Sequence, residues 1–471
     1  MTSTSRIKRL APHQQLQRQL KSFFRIDLPQ LPAAVKSNII RIQVAIDSHD
    51  PLTWLSQQTA DLKTYWSDRE GQFAMAGVGA ADIVHSQSAP DFAAVFARLQ
   101  QRLPEHSAAR YYGGFSFQPT PPLTEGWQQF GTYRFVVPQF EVYVEAGQTY
   151  LACNMLLSTT TPYPQQLAQL LKGLEQLSFK RVRRPQSLPT VVNRQDFPSQ
   201  PGWHQMLHTA LQTLSTGELA KIVLARQSDF TLSQTVDPLS VLLAMRCGKA
   251  RLFRFCFQPT AGQAFIGASP ERLYLRRDRT LHTEAVAGTR PRGASRADDQ
   301  ALGQTLLNSE KDNREHQFVV QSLRTALAQL CKLVGLDQEP VLLKLNQVQH
   351  LHTACHGILT DGVTDGEILP RLHPTPAVGG FPKRPAREAI DQLEPFERGW
   401  YAAPVGWVSS NAAEFAVAIR SGLVVNHQLS LFSGAGIVPG SNPSDEWQEI
   451  ENKLRAFTTV LNEVEDERAL A

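Results

Sequence analysis

The sequence predicts an α+β protein in which antiparallel strands outnumber helices. Three observations carry this expectation. Strand-like runs in the first half are separated by glycine and proline rather than by helical periods, which favours antiparallel pairing over alternating βαβ units. Clear helical periodicity is confined to a handful of segments, above all Ser309 to about Val334 and the run after Pro443. With 471 residues, 42% hydrophobic and 19% charged, the composition is that of a globular chain with room for one large core or two modest ones.

Composition also removes several function classes. A net charge of +4 over this length is too small to argue for nucleic acid. The five cysteines, Cys153, Cys247, Cys256, Cys331 and Cys355, have no CxxC spacing, which favours a reducing compartment over a zinc knuckle or a disulfide scaffold. No apolar run approaches the length needed to span a bilayer and no secretory signal opens the chain. Residues 1–30 form a basic segment with Arg6, Lys8, Arg9, Arg18, Lys21 and Arg25. An organelle transit peptide would share that bias, but no clear cleavage pattern follows, so the expected location is the cytoplasm. A nucleic-acid arm would interleave aromatic residues with the charges, and none occurs before Phe23.

In chain order, residues 1 to about 30 read as a loosely held helix. Strands follow at Ile39–Ile46, Phe73–Val84, Tyr111–Phe117, Tyr133–Val142 and Thr149–Leu156, with a helix at Pro164–Leu177. Residues 31–180 are thus a strand-rich N-terminal half. Lys180–Pro201, rich in Arg, Pro, Gln and Ser, reads as a linker. Beyond it, residues 202–460 begin with a helix at Trp203–Thr216 and an apolar strand, Leu219–Ala225, that contains Lys221. Further strands read at Leu252–Gln258, Ala264–Ala268, Leu273–Arg276 and Thr283–Val286. After the long helix come strands at Val341–Leu343 and Val348–Leu351, then a proline-rich loop, His373–Pro385. Two more strands, Tyr401–Val408 and Phe415–Val425, lead to a glycine-bearing turn (Gly434, Gly436), a second turn (Gly440–Pro443) and the final helix. No internal repeat is evident.

Two acidic helix faces stand out. Glu446, Glu449 and Lys453 share one face of the final helix, beside an apolar stripe of Trp447, Ile450, Leu454, Phe457 and Leu461. A solvated salt-bridge ladder would look the same. On the long helix, SEKDNREH again sets two acids three residues apart, Asp312 and Glu315; Ser309 with Asp312 also reads as a capping pair, which would account for the aspartate but not for Glu315. Two such faces together could hold one Mg²⁺ through oxygen ligands. Lys221 within an apolar strand either loses proton affinity by desolvation and serves as a base, or snorkels to the sheet edge. Glu271, after a strand and a proline turn, reads as a turn residue or a proton donor.

Together with their flanks these residues resemble the chorismate-utilising enzyme family. The resemblance rests on KIVLARQ (Lys221–Gln227), FIGASPERL (Phe265–Leu273), TEAVAGT (Thr283–Thr289), SEKDNREH (Ser309–His316), QHLHT (Gln349–Thr353), HPTPAVGG (His373–Gly380), RGWYAAPVGW (Arg398–Trp407), FAVAIRSG (Phe415–Gly422) and GAGIVPGSNPSDEWQEIENK (Gly434–Lys453). The first half matches more weakly, through AMAGVGAA (Ala74–Ala81) and YYGGFSF (Tyr111–Phe117).

The resemblance implies two packed antiparallel β-sheets with helices outside and the halves of the chain intertwined. It implies Mg²⁺ held by Glu315 and Glu449 with Asp312 and Glu446 nearby, where Asp312 replaces a glutamate common in relatives. It implies substrate carboxylates gripped by Arg420, Lys453, Gly434 and Gly288, in a pocket lined by His350 and Tyr401; His350 could equally be a core histidine. Members that add ammonia usually carry glutamine at the position of Lys221, and members that attack covalently carry lysine where Ala287 stands. Lys221 with Ala287 therefore implies the water-adding branch, with Lys221 as base and Glu271 as acid in converting chorismate to isochorismate. A salicylate-forming member is the alternative. No nucleic acid, membrane or glutamine amidotransferase subunit is expected, and the chain should act as a monomer or weak homodimer.

Overall fold

A computed structural model of the chain describes residues 11–32, 36–105, 107–180, 187–246, 251–344 and 348–469, the side chains of 462–469 excepted. Arg6, Lys8 and Arg9 of the basic segment, Cys247, and residues 181–186 of the expected linker lie outside the described residues.

The strands of the first half are β1 (Ile40–Ile46), β2 (Lys63–Ser67), β3 (Phe73–Val78), β4 (Asp82–Ser86), β5 (Tyr111–Phe115), β6 (Tyr133–Val137), β7 (Phe140–Glu145), β8 (Gln148–Met155) and β9 (Val191–Phe197). The second half supplies β10 (Lys221–Leu232), β11 (Phe253–Thr260), β12 (Gln263–Ser269), β13 (Arg272–Arg277), β14 (Thr280–Pro291), β15 (Cys331–Leu336), β16 (Val341–Lys344), β17 (Val348–Leu359), β18 (Gly380–Phe381), β19 (Pro404–Val408), β20 (Ala412–Val417), β21 (Ser421–Val425) and β22 (Gln428–Ile437). They form two sheets. One runs β1-β8-β7-β3-β2-β11-β12-β21-β22-β10-β18, with β9 also on β10; the other runs β15-β17-β14-β13-β20-β19-β5-β6-β4, with β16 also on β17.

Each sheet is continuous across both halves of the chain, joined by β2 with β11 (Tyr65 opposite Cys256) and by β5 with β19 (Gly113 opposite Gly406). Every pairing is antiparallel, as the glycine and proline punctuation predicts. Aromatic side chains fill the core: Trp400 meets Phe130 at 5.3 Å and Phe257 at 5.6 Å between ring centroids, and Trp127 meets Phe265 at 5.4 Å. Such edge-to-face contacts add to the burial of large apolar surface.

Several expected elements are drawn differently. The runs 73–84, 133–142 and 415–425 are each two strands that change sheet. The changes fall at Gly79 (φ +63°), at Pro138, and at Arg420 (φ +50°), where a residue with no N–H or a left-handed backbone interrupts the ladder. The expected linker contains β9, an edge strand on β10 whose side chains are mostly half-buried or exposed, so it carries no hydrophobic alternation. Gly434 and Gly436 lie on β22 rather than in a turn. The 373–385 loop gives way to a helix, Lys383–Leu393, and the long helix is Glu310–Leu330, followed by β15. The first helix, Pro12–Ser22, is packed down by fully buried Leu16 and Leu20, not loosely held. Among the described residues no helix is long and apolar enough to cross a membrane.

Candidate active site

The changes of sheet and the glycine strand converge on a cavity of about 210 Å³. Its walls come from β10, β14, β17 and β22, the crossover at Arg420, the loop before β18, and the helices Glu310–Leu330 and Pro443–Ala469. Every candidate residue named from sequence except Lys221 lines it.

Lys221 stands immediately behind that wall. It is 1% exposed, and its Nζ donates to Glu315 Oε1 at 2.7 Å, so it does not snorkel to the edge. The approach is possible because Gly436, across the ladder from Val223, has no side chain. A Cβ there would stand 2.9 Å from Glu315 Oε1 and 3.0 Å from Lys221 Cε. Glu271 sits between β12 and β13, 6% exposed, where Thr375 Oγ1 donates to its Oε1 at 3.3 Å. Burial, and then the charge of Glu284, push its carboxyl up to about 7.

The cavity wall also carries a cation without a carboxylate partner. Arg420, held at positive φ in the change from β20 to β21, is lowered to about 10 by burial alone. Its guanidinium makes no ion pair with any described side chain. His350 Nδ1 lies 3.1 Å from the carbonyl of Gly288 and 3.0 Å from Thr289 Oγ1, while Nε2 is buried without a partner. Its ring is pushed down to about 3 by burial and then by Arg420, so it is neutral, and donation from Nδ1 to the carbonyl leaves Nε2 as an acceptor. Gly288 sits at φ +70° in a bulge of the β14–β17 ladder, and a Cβ would meet Asp312 at 3.1 Å. Tyr401 stacks on Phe432 at 5.4 Å, and its hydroxyl stands 3.1 Å from the place a Cβ on Gly434 would take. Lys453 donates to the Gly434 carbonyl at 2.9 Å and pairs with Glu449 at 2.7 Å.

The four acids meet the same cavity from two helices. Ser309 Oγ caps the long helix on the Asp312 N–H, yet the Asp312 carboxylate turns away to Arg290 at 2.6 Å, so the capping pair accounts for only part of that residue. Among the described residues no three acids, histidines or cysteines converge into a complete metal shell. The donor set still fits one hard cation. Glu315 and Glu449 offer carboxylates from separate helices, and Mg²⁺ commonly takes only one or two protein carboxylates, completing its shell with water and substrate. Glu446, pushed up by burial and then by the charge of Glu449, records a repulsion that a cation would relieve. Three of the four already face a cation of the chain: Asp312 pairs with Arg290 at 2.6 Å, Glu315 with Lys221 at 2.7 Å and Glu449 with Lys453 at 2.7 Å.

Sequence reasoning gave no role to Arg290, Thr375, Glu284 or Lys311. Thr375 and Glu284 lay inside quoted motifs, HPTPAVGG and TEAVAGT, where three-dimensional neighbours alone reveal what they touch. Arg290 follows TEAVAGT directly, and its charge opposite Asp312 was the available signal.

Comparison with known proteins agrees with this geometry. The family description "Chorismate binding enzyme" matches residues 27–462. The chain is 33% identical to isochorismate synthase 2, chloroplastic, of Arabidopsis thaliana, over 92% of this chain and 83% of that protein. It is 31% identical to isochorismate synthase MenF of Escherichia coli, over 95% and 99%. The solved structure of MenF, the menaquinone-specific isochorismate synthase from Escherichia coli, superposes with a TM-score of 0.83 at 30% identity, covering 96% of this chain and all of that one. A motif series running from Lys221 to Lys453, a shared two-sheet fold and a match over nearly the whole chain establish that this protein belongs to the chorismate-binding enzyme family.

Proposed function

We propose that this chain is an isochorismate synthase, an isomerase that adds water at C2 of chorismate and releases the C4 hydroxyl. The observation that carries the reading is a carboxyl in the cavity wall, Glu271, poised near neutrality, together with the buried amine of Lys221 immediately behind the wall on Glu315. Relatives of nearly full coverage bear the name of this activity.

Arg420, without a carboxylate of its own, pairs with a substrate carboxylate, and the unpartnered Nε2 of His350 accepts from a substrate hydroxyl. Lys221, its Nζ held by Glu315, takes the proton of the water that attacks C2. The ring double bonds shift, the C4–O bond breaks, and Glu271 gives its proton to the departing hydroxyl, so one water enters and one leaves. Glu315 and Glu449 would hold a Mg²⁺, with Glu446 beside them and Asp312 kept by Arg290, and the cation would supply charge neutralisation for a substrate carboxylate. Tyr401 and Gly434 shape the wall beside the substrate, Gly288 leaves room beside Asp312, and Lys453 fixes Glu449 and the β22 backbone.

The wall residue Ala287 has no amine for covalent attack, and ammonia-adding relatives carry glutamine where Lys221 stands; both favour water as nucleophile. The chain works alone, without an amidotransferase subunit, in the cytoplasm, and the menaquinone-specific relative supports a place in quinone synthesis. Incubating the purified chain with chorismate and Mg²⁺ and resolving the products by chromatography tests the reading. Isochorismate alone supports it, whereas salicylate with pyruvate would assign the salicylate-forming activity instead.

A further inference from the structure

The turn between β2 and β3, in the motif-poor half of the chain, reaches the acid side of the cavity. Asp68 closes it by accepting from the N–H groups of Gln72 and Phe73, which projects Arg69 and Glu70 towards β13. Arg69 forms a two-pronged ion pair with Glu284 of β14, Nη1 to Oε1 at 2.5 Å and Nη2 to Oε2 at 2.6 Å, with side chains 12% and 5% exposed. The same guanidinium donates to the carbonyl of Pro270 at 2.9 Å, and the same carboxylate accepts from the N–H of Arg272 at 3.1 Å. Pro270 and Arg272 are the two neighbours of Glu271 in the chain. Glu70 adds a second staple by accepting from Arg272 Nη2 at 2.9 Å and 3.0 Å, and His352 Nε2 lies 3.1 Å from Glu284 Oε2.

We propose that Arg69 is a positioning residue for the proton donor: with Glu284 it clamps the peptide groups on either side of Glu271 and so fixes where the acid points. The inference rests on Glu271 being the acid of the reaction proposed above. An ion pair buried this deeply, bidentate and with its remaining contacts made to the Pro270 carbonyl, the Arg272 N–H, Glu70 and His352, suits a fixed geometry better than a surface contact does. The clamp also sets the field at the acid. Glu271 faces the negative charge of Glu284, the amines of Lys221 and Lys453, and the hydroxyls of Thr375 and Tyr401. Arg69 partly neutralises Glu284.

The two members of the clamp therefore move the acid in opposite directions. Glu271 must be protonated to act, so activity falls as pH rises past its titration. In Arg69→Met, Glu284 loses its counter-charge, and the alkaline limb of kcat shifts to higher pH. In Glu284→Gln the neighbouring negative charge is gone, and the limb shifts to lower pH. With the acid displaced, kcat of Arg69→Met falls on the order of 10²-fold while KM changes little. Arg69→Lys, which keeps the charge but not the fork, holds the limb in place and recovers part of kcat.

The experiment is a kcat and KM profile against pH for the full chain and these variants, with circular dichroism confirming the fold. Opposite limb shifts with a kcat loss support the clamp. Folded variants that keep the wild-type limb and kcat overturn it, and should Arg69→Met not fold, Arg69→Lys and Glu284→Gln decide. A wild-type chain that makes no isochorismate would instead overturn the functional reading itself.

Discussion

Replacing Glu271 by glutamine separates the chemistry of the acid from its cost. The carboxyl is 6% exposed and raised from 4.5 to about 7, by burial first and then by Glu284. Between those values the folded chain holds a proton that the unfolded chain has released, so stability falls as pH rises through the window. The stabilisation relative to higher pH is fully present below about 4.5 and is gone just above 7. At roughly 1.4 kcal/mol for each pH unit the loss amounts to about 3 kcal/mol. Glutamine is nearly isosteric, keeps an oxygen for Thr375 and cannot ionise. Glu271→Gln is therefore expected to match the parent in unfolding free energy near pH 4.5 and to exceed it above pH 7 by a margin approaching about 3 kcal/mol. It loses roughly 10²- to 10⁴-fold in turnover because no proton reaches the departing hydroxyl. Urea unfolding at pH 5 and pH 8 beside steady-state turnover reads both effects. Equal stability of variant and parent at both pH values would refute the buried-acid argument, and near-normal turnover would refute the assignment of the acid.

Lys221→Ala should lower kcat roughly 10²- to 10⁴-fold in a steady-state assay; retention of normal turnover would remove Lys221 as the base. Arg420→Met removes the guanidinium that has no partner in the cavity wall. Charge-assisted hydrogen bonds of about 1.5–3 kcal/mol are lost to the substrate, so KM should rise roughly 10- to 100-fold. The urea midpoint at pH 7 should not fall, because the charge removed is half-buried and has no carboxylate partner among the described side chains. Gly436→Ala should abolish turnover while the fold survives, since Gly436 lies within β22 and its new methyl would meet Glu315 and Lys221; circular dichroism with an activity assay checks both halves.

What was legible in the sequence follows physical lines. The helix stripes at Val319, Leu323, Leu327 and Leu330, and at Ile450, Leu454, Phe457 and Leu461, are buried as their spacing predicts, because a repeated apolar stripe has only one way to leave water. The acid pairs those helices carry face one cavity, which periodicity alone could not establish. Changes of sheet were hidden, since Phe73–Val84 and Phe415–Val425 are apolar on both sides of a break made by backbone geometry at Gly79 and Arg420. β9 was hidden for the opposite reason: an edge strand needs few buried side chains, and it is held by its backbone ladder with β10 and by polar contacts, Arg194 with Glu451 at 2.5 Å and Asp196 with Ser228 at 2.5 Å. The clamp of Arg69 on Glu284 joins residues 215 positions apart, a separation over which no local pattern operates.

The most direct test of the central claim, that Lys221 and Glu271 exchange one hydroxyl for another on chorismate, is turnover in ¹⁸O-enriched water followed by mass spectrometry of the product. Isochorismate carrying a single ¹⁸O at C2 is the expected result. Isochorismate without solvent label, or a product that retains the original C4 oxygen, would contradict it.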